Sequence, residues 1–548
     1  MAADQNILLY GNLDVDGRPS VVLLTSFHLS WDSTSKAGTP ESPNVEVISS
    51  QNRYTIELNE VIGVTTEKYD SSSNGFSSKD SSTLFVEMQT LKPHVFSVFH
   101  IRRIGHHKWR ERKVTFRCRD STTCQIWVES IRKGLTNPKF RRPKSLLVFI
   151  NPVGGKKKGP KIYAEKVVPL FDLADIIVHS ITTDRANYAL DYLQEADLAK
   201  YDGIVCVGGD GMFTELLNGL LIRTLKDNGN EQPCRDTTPI QPDLRIGIIP
   251  AGSTDTVVYS TVGINDPVTS ALHIITGDSM NIDCCSIYQR DQLVRYSVSL
   301  VGYGYYGDVL ADSEKFRWMG TKRYNWSGFK KFLANQSYLG EVSFLPTTVH
   351  DSHPRDNTRC LSGCQVCAAA LDRLHQYPSE SSSLGKEKWH TIRGDFIGVN
   401  AVTMSCRCAM SPEGVSPACH LGDGCTDLIL VKRCSRLNYL HHLYRCRDRQ
   451  SDQFDFDFVQ VHRVKEFQFR PLEDEFELEA GEVNCRQQLF RSNSKSSHNS
   501  VWNCDGEVIG SPSVHVQVHC QLVKLFARGI EKLDKEHSGC IPCQQKDK

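Results

Sequence analysis

The residues best suited to chemistry lie in Val207-Gly-Gly-Asp-Gly-Met-Phe-Thr-Glu215, where one carboxylate, Asp210, stands among Gly208, Gly209 and Gly211. Glycine lets an anion approach the main chain, and a helix N-terminus supplies N–H groups and a favourable dipole, so the stretch suits phosphate. A carboxylate among phosphates is poorly explained as scaffold and suits a base acting on a substrate hydroxyl. Three more loops carry comparable residues: Asn151-Pro-Val-Gly-Gly-Lys-Lys-Lys-Gly159, Thr182-Thr-Asp-Arg-Ala-Asn187 and Pro250-Ala-Gly-Ser-Thr-Asp255. None is a P-loop, because no Gly-Lys-Ser/Thr follows the glycines at the required interval.

Such loops need a rigid scaffold. Apolar segments at Leu146–Ile150, Asp175–His179, Gly203–Val207 and Leu244–Ile249 alternate with helical spacing, as in Met212–Leu221. The alternation predicts a parallel sheet covered by helices, with the loops at its carboxyl edge, where nucleotides bind. Upstream, Ser20–Leu24, Tyr54–Leu58, Thr83–Met88 and Lys113–Cys118 predict antiparallel strands, followed by a helix over Thr123–Leu135 with Ile126, Trp127, Ile131 and Leu135 near one face. From about Asn281, alternating strands at Tyr296–Leu300, Gly340–Leu345, Asp427–Val431, Phe458–Val461 and Val514–Cys520 predict a β-rich domain. Polar insertions near Tyr377–Lys388 and Arg491–Ser500 are expected on the surface. The expected division is therefore 1–136, 141–290, 291–530 and a disordered tail, 531–548.

With 548 residues, 64 Lys and Arg against 64 Asp and Glu, the chain has no net charge, so no nucleic-acid partner is expected. No apolar run reaches the roughly 18 residues of a membrane span, and Met1-Ala-Ala-Asp lacks signal-peptide character. A cytoplasmic protein, peripheral on membranes, is expected, and its 20 cysteines are expected as thiols. Cys360-Leu-Ser-Gly-Cys-Gln-Val-Cys367 has two readings: a zinc site with a fourth ligand elsewhere, Cys406 or Cys408 for example, or a reduced, redox-sensitive loop.

In order and spacing the four loops resemble the diacylglycerol-kinase catalytic domain shared by lipid kinases of the diacylglycerol, sphingosine and ceramide types, over roughly 144–528. The resemblance implies that Asp210 is the catalytic base and that Gly208, Gly209, Asp210 and Gly211 meet the lipid substrate. It implies ATP held by Asn151, Pro152, Val153, Thr183, Asp184, Arg185, Ala186, Asn187, Glu215, Gly252 and Ser253, with Mg2+ bridging its phosphates and no protein ligand assigned to the metal. Gly302-Tyr-Gly-Tyr-Tyr-Gly-Asp308 and Asp312–Arg323 are similar to a segment of the sphingosine and ceramide types. That similarity implies Asp308 at the lipid headgroup and Arg317 and Arg323 at the nucleotide phosphates, which a guanidinium fork suits. Trp502-Asn-Cys-Asp-Gly-Glu507 matches the family's Asp-Gly-Glu element, implying Asp505, Gly506 and Glu507 at the nucleotide; taken alone, Asp505-Gly506 reads as a hairpin turn. Asp255 stands where the family usually has Asn, and no role is assigned to it.

Leu310 occupies a position where the sphingosine type carries a second acid suited to an ammonium, and the ceramide type also carries the cysteine cluster. Both favour ceramide as acceptor, phosphorylated on its primary hydroxyl. The alternatives are sphingosine or diacylglycerol as substrate, or a catalytically silent lipid-binding adaptor. The N-terminal strands and helix resemble a pleckstrin-homology domain, a β-barrel with a C-terminal helix, ahead of a two-domain kinase made of an α/β nucleotide-binding domain and a β-rich sandwich. That resemblance implies an anionic phosphoinositide surface as partner, at the plasma membrane or Golgi, with the basic stretch Arg102–Lys113 as the targeting loop. Leu430, Leu437 and Leu443 fall at positions 1, 8 and 14 of a basic stretch. It reads either as a calmodulin target, which the resemblance to calmodulin-responsive kinases supports and which would make Ca2+ regulatory, or as a helix packed on the β-rich domain.

Overall fold

The computed structural model describes residues 6–33, 53–66, 94–320, 322–347, 352–356, 358–376, 388–448, 452–472 and 499–532. The expected strand Thr83–Met88, residues 377–387 and 491–498 of the two polar insertions, and residues 533–548 lie outside the described residues.

In the N-terminal region, β1 (Ile7–Val15), β2 (Arg18–Thr25), β3 (His28–Ser33), β4 (Arg53–Glu57), β5 (Val61–Thr66), β6 (Val95–Gly105) and β7 (Lys108–Arg117) pair antiparallel in the order β4-β3-β2-β1-β7-β6-β5. Helix α1 (Ser121–Leu135) begins where the Asp120 carboxylate accepts the Thr123 N–H at 2.8 Å, a side-chain N-cap. It buries Cys124, Trp127, Val128 and Ile131 against the strands. Ile126, expected on that face, is 47% exposed; the helical spacing of the buried four gives its place to Cys124.

The second region is a parallel sheet of β8 (Ser145–Ile150), β9 (Ile177–Thr182), β10 (Gly203–Gly208) and β11 (Arg245–Pro250), ordered β9-β8-β10-β11. Every residue of β10 is buried, as its unbroken apolar run requires of a strand covered on both faces. The helices used below are α2 (Tyr188–Glu195), α3 (Asp210–Asp227), α4 (Thr256–Thr261) and α5 (Pro267–Thr276).

The sheet does not stop at the expected boundary. Strands β12 (Met280–Gln289), β13 (Gln292–Ser297), β14 (Leu300–Gly304), β15 (Tyr338–Pro346), β16 (His390–Val402), β17 (Thr426–Lys432), β18 (Val459–Pro471), β19 (Trp502–Cys504), β20 (Glu507–Ile509) and β21 (Val514–Leu525) make the β-rich region. Its last strand, β21, lies antiparallel to β12 and β18 and touches β11 in parallel at Leu525 and Ile246, so one hydrogen-bonded path runs from β20 to β9. Strand β17 pairs with both β16 and β18, each of which flanks β15, and these four strands close on themselves. Helices α6 (Tyr305–Ser313), α7 (Lys322–Ala334), α8 (Gln365–Gln376) and α9 (Arg436–Arg445) decorate this region.

The basic stretch Arg102–Lys113 is not a free targeting loop. It is the end of the β6–β7 hairpin, and it docks on the α/β domain. Trp109, 1% exposed, stacks on His273 of α5 with ring centroids 3.9 Å apart. Arg110 pairs with Asp266 at 2.6 Å, while Arg103 pairs with Glu60 at 2.7 Å and Glu531 at 2.8 Å. Arg528 adds a bond to Glu60 at 2.8 Å. Glu531, assigned to a disordered tail, therefore belongs to the folded body. Among the described residues no helix is long and apolar enough to cross a membrane.

Candidate functional site

The four loops meet at the carboxyl edge of the parallel sheet, and their glycines are explained by how closely the backbones approach. A Cβ on Gly252 would sit 2.4 Å from the Gly209 Cα, and one on Gly155 would sit 2.5 Å from the Ala251 carbonyl oxygen. The first loop thus lies on the fourth, and the fourth on the third. Gly211 differs: nothing lies within 4 Å of its Cβ position, so its missing side chain leaves open room beside Asp210.

Asp210 opens α3 at the end of β10, half-buried. Its Oδ2 accepts the N–H of Thr256 and its Oδ1 that of Val257, both at 3.0 Å, at the start of α4. Burial raises its proton affinity above that of an ordinary carboxylate, and the nearby charge of Asp505 adds to this against the two N–H bonds. Asp255, in a left-handed conformation at φ 54°, accepts the Gly252 N–H at 3.0 Å and the Asn265 amide at 2.7 Å. It is 3% exposed, and burial together with Asp210 pushes its pKa up to about 6. The family departure at this position was the one sequence signal for it, and the residue shapes the fourth loop.

Glu215, one turn further along α3, accepts the Ala189 N–H at 2.8 Å and so anchors the start of α2, which follows the Thr182–Asn187 loop. Burial raises its pKa and the α2 N–H groups oppose the rise. In the second loop Thr183 is buried and donates back to Ile150, Arg185 pairs with Asp191 at 2.7 Å, and Asn187 takes φ 60°. In the first, the Asn151 side chain accepts the N–H groups of Val153 and Gly154, both at 2.9 Å, closing a turn that leaves Val153 71% exposed.

Asp505 and Gly506, at φ 49° and 90°, form the two-residue turn between β19 and β20, so the turn reading holds. The same turn reaches the site: Asp505 Oδ2 accepts from the Thr214 hydroxyl of α3 at 3.4 Å. Its carboxylate also takes the Ser297 and Ser299 hydroxyls and the N–H groups of Val298, Ser299 and Leu300. Glu507 pairs with Arg295 at 3.7 Å and adds to the raised pKa of Glu215.

Asp308 is held apart from this cluster, in α6, between the Tyr338 and Ser500 hydroxyls, each donating to it at 2.6 Å. Helix α6 packs on the β19–β20 hairpin, Gly307 lying so close that a Cβ would meet the Val501 carbonyl at 1.9 Å. Arg317 and Arg323 are not brought to the loops; both converge on Glu314, at 2.6 Å and 3.1 Å.

Three family descriptions match successive parts of the chain: "Ceramide kinase PH domain" over residues 9–131, "Diacylglycerol kinase catalytic domain" over 145–287 and "Ceramide kinase C-terminal domain" over 299–543. Human "Ceramide kinase" is 48% identical over 458 residues, covering 82% of this chain and 85% of that protein. The chain belongs to the ceramide kinase family. The mouse ceramide kinase is also 48% identical, over 80% of this chain and 85% of its own, and the Arabidopsis thaliana one 32% identical over 77% and 79%. As a ceramide kinase family member the chain is an ATP-dependent lipid kinase with an N-terminal pleckstrin-homology domain.

Two expectations for this family member change. Leu430 lies on β17 and is fully buried, and only Arg436–Arg445 is helical, so Leu430, Leu437 and Leu443 do not share one helix. A calmodulin target helix over Leu430–Leu443 is corrected to a strand and a packed helix, Tyr439 of α9 meeting Tyr305 of α6 with ring centroids 5.2 Å apart. Cys406 and Cys408 do not join Cys360, Cys364 and Cys367: the Cys406 thiol faces the Ser299 carbonyl at 3.5 Å, and the fourth potential ligand is His420.

Proposed function

We infer that this chain transfers the γ-phosphate of ATP to the primary hydroxyl of ceramide, giving ceramide 1-phosphate and ADP. The observation that carries the reading is Asp210, a half-buried carboxylate where the glycine loops meet, in a chain 48% identical to human ceramide kinase. Each Asp210 oxygen accepts one N–H and keeps a further lone pair, so either can take the proton of the attacking hydroxyl. Its raised proton affinity moves it toward the range where a general base works well.

Main-chain groups of Gly208, Gly209, Gly211, Gly252 and Ser253 are proposed to face the phosphates, with the Asn151–Val153 and Thr183–Asn187 loops holding the rest of ATP. Glu215 acts on the second of these through Ala189. Asp505, full of donors, positions α3, while Gly506 and Glu507 border the nucleotide. Arg317 and Arg323 would exchange Glu314 for phosphate oxygens. Among the described residues no carboxylates converge as a metal cage. Mg2+ is accordingly proposed to arrive on ATP, and no residue is assigned to it.

Ceramide is favoured over sphingosine by the helix that carries Asp308. Leu310 is 5% exposed on the same helix, and a second acid there would be buried, which an ammonium would justify and a neutral amide does not. Membrane contact is proposed through the N-terminal domain on anionic phosphoinositide surfaces, using faces other than the docked end of its hairpin. Labelled ATP offered with ceramide, sphingosine and diacylglycerol in mixed micelles tests the reading. Label is expected in ceramide 1-phosphate; label in another lipid changes the substrate, and no product leaves a lipid-binding adaptor.

A further inference from the structure

Far from Asp210 in sequence, the C-x3-C-x2-C cluster meets a histidine. Cys360 Sγ lies 3.6 Å from Cys367 Sγ, and Cys364 Sγ lies 3.3 Å from His420 Nδ1. All four ligand atoms fall within 4.8 Å of one another. A tetrahedral zinc ion with Zn–S about 2.3 Å and Zn–N about 2.0 Å needs sulfurs about 3.8 Å apart and sulfur and nitrogen about 3.5 Å apart. The spacing already present is that of a zinc site. It is not that of a disulfide, and the three cysteines are free thiols.

Two further observations point to a ligand. His420 is fully buried, its Nε2 has no partner, and its Nδ1 faces only a sulfur, a poor environment for an imidazole that does no more than pack. The two halves of the site are also held together by the protein. The Gln521 side-chain amide donates to the Cys367 carbonyl at 2.8 Å and to the Gly422 carbonyl at 2.9 Å, joining the first turn of α8 to the loop that carries His420. The Leu421 N–H points at Cys360 Sγ at 3.5 Å, as an outer-shell donor to a thiolate would.

We propose that Cys360, Cys364, Cys367 and His420 form a closed, structural Cys3His zinc site. Three thiolates and an imidazole favour zinc over oxygen-seeking cations, and four protein ligands leave no open position for catalysis. Zinc would staple the segment carrying α8 to β21 and to the C-terminal residues, where the Ser362 N–H already donates to the Ile530 carbonyl at 2.8 Å and Glu531 reaches the N-terminal domain.

The full chain, expressed in zinc-supplemented medium and dialysed without chelator, is expected to hold one zinc per chain by elemental analysis. Replacing it with cobalt(II) should give the visible bands of a tetrahedral ion with three thiolates. His420→Ala and Cys364→Ser should each weaken zinc binding at least about a hundredfold, whereas Cys406→Ser and Cys408→Ser should leave it unchanged. His420→Cys keeps four ligands and guards against simple misfolding: it should retain zinc and shift the cobalt spectrum toward four thiolates. A chain that binds neither zinc nor cobalt, with its three thiols reacting equally fast with and without chelator, overturns the site. A His420→Cys spectrum identical to that of the parent overturns the assignment of the fourth ligand.

Discussion

Asp210 and Asp505 are two acids of one centre, linked through Thr214, whose single hydroxyl proton is shared between the Asp210 carbonyl at 3.0 Å and the Asp505 carboxylate at 3.4 Å. Asp505 gathers five more donors from Ser297, Val298, Ser299 and Leu300 and is 5% exposed. A carboxylate has about four lone-pair sites, so Asp505 is saturated and its charge is spent on holding the β19–β20 turn against the start of β14. Asp210 accepts only two N–H bonds and is half-buried. Between these two acids, the number of donors already engaged separates the proposed base from the scaffold.

The comparison is broken most directly at Asp210. Asp210→Asn removes the proton acceptor and is expected to lower kcat by about 10²–10⁴-fold, with ATP affinity little changed and a fall in unfolding midpoint smaller than at Asp505, because its amide nitrogen faces one of only two N–H groups. Micelle kinetics and calorimetric ATP titration read these separately, and parent-like turnover would reassign the base. Asp505→Asn should do the reverse. An amide nitrogen would face donors on one side, leaving buried N–H and O–H groups unpaired at a cost of about 3–5 kcal/mol. Denaturant unfolding should show that loss, while kcat per folded molecule changes less than tenfold. A variant with an unshifted midpoint and no turnover would invert the two roles.

Asp255 accepts as many donors as Asp210 but is buried. Unfolded it ionises near 4, whereas folded it ionises at about 6, so over that interval the folded state holds a proton that the unfolded state has lost. This group's contribution to stability is complete below pH 4, falls as the pH rises through about 6 and is flat above. Asp255→Asn removes the ionisation, and the Asn265 amide can turn to match it. The variant should show a shallower stability profile between pH 4 and 6. Above pH 6 it should be more stable than the parent by up to roughly 3 kcal/mol, two units at 1.36 kcal/mol each.

How much of this was legible follows from the same residues. The glycine loops could be read because several of their glycines answer a physical need, as in the touching backbones of Gly209 and Gly252. Asp505-Gly506 supported two readings; the turn is there, with two positive φ values, and it brings the Asp505 carboxylate to α3, while the place at the nucleotide stays a proposal. The basic hairpin could not be read. Clustered arginines around a tryptophan suit an anionic membrane and suit a protein face bearing Glu60, Asp266 and Glu531 equally well. The leucine spacing misled because β17 runs into a helix within it, and spacing alone does not mark where a strand ends. His420 was hidden because a ligand brought in by a distant loop leaves no spacing signature.

The smallest effect is expected at Glu215, which sharpens the contrast by being neither base nor clamp. It is half-buried and accepts the Ala189 N–H at the start of α2, with the Asn187 and Leu190 N–H groups also favouring its charge. Glu215→Gln keeps an acceptor for that bond and loses only the charge opposite a helix N-terminus, worth about 0.3–1 kcal/mol. If Glu215 acts by setting the Thr183–Asn187 loop, KM for ATP should rise less than about fivefold with kcat nearly constant, and Glu215→Ala, which loses the acceptor as well, should raise KM further. A fall in kcat for Glu215→Gln as large as that for Asp210→Asn would place Glu215 on the reacting groups and reopen the choice of base.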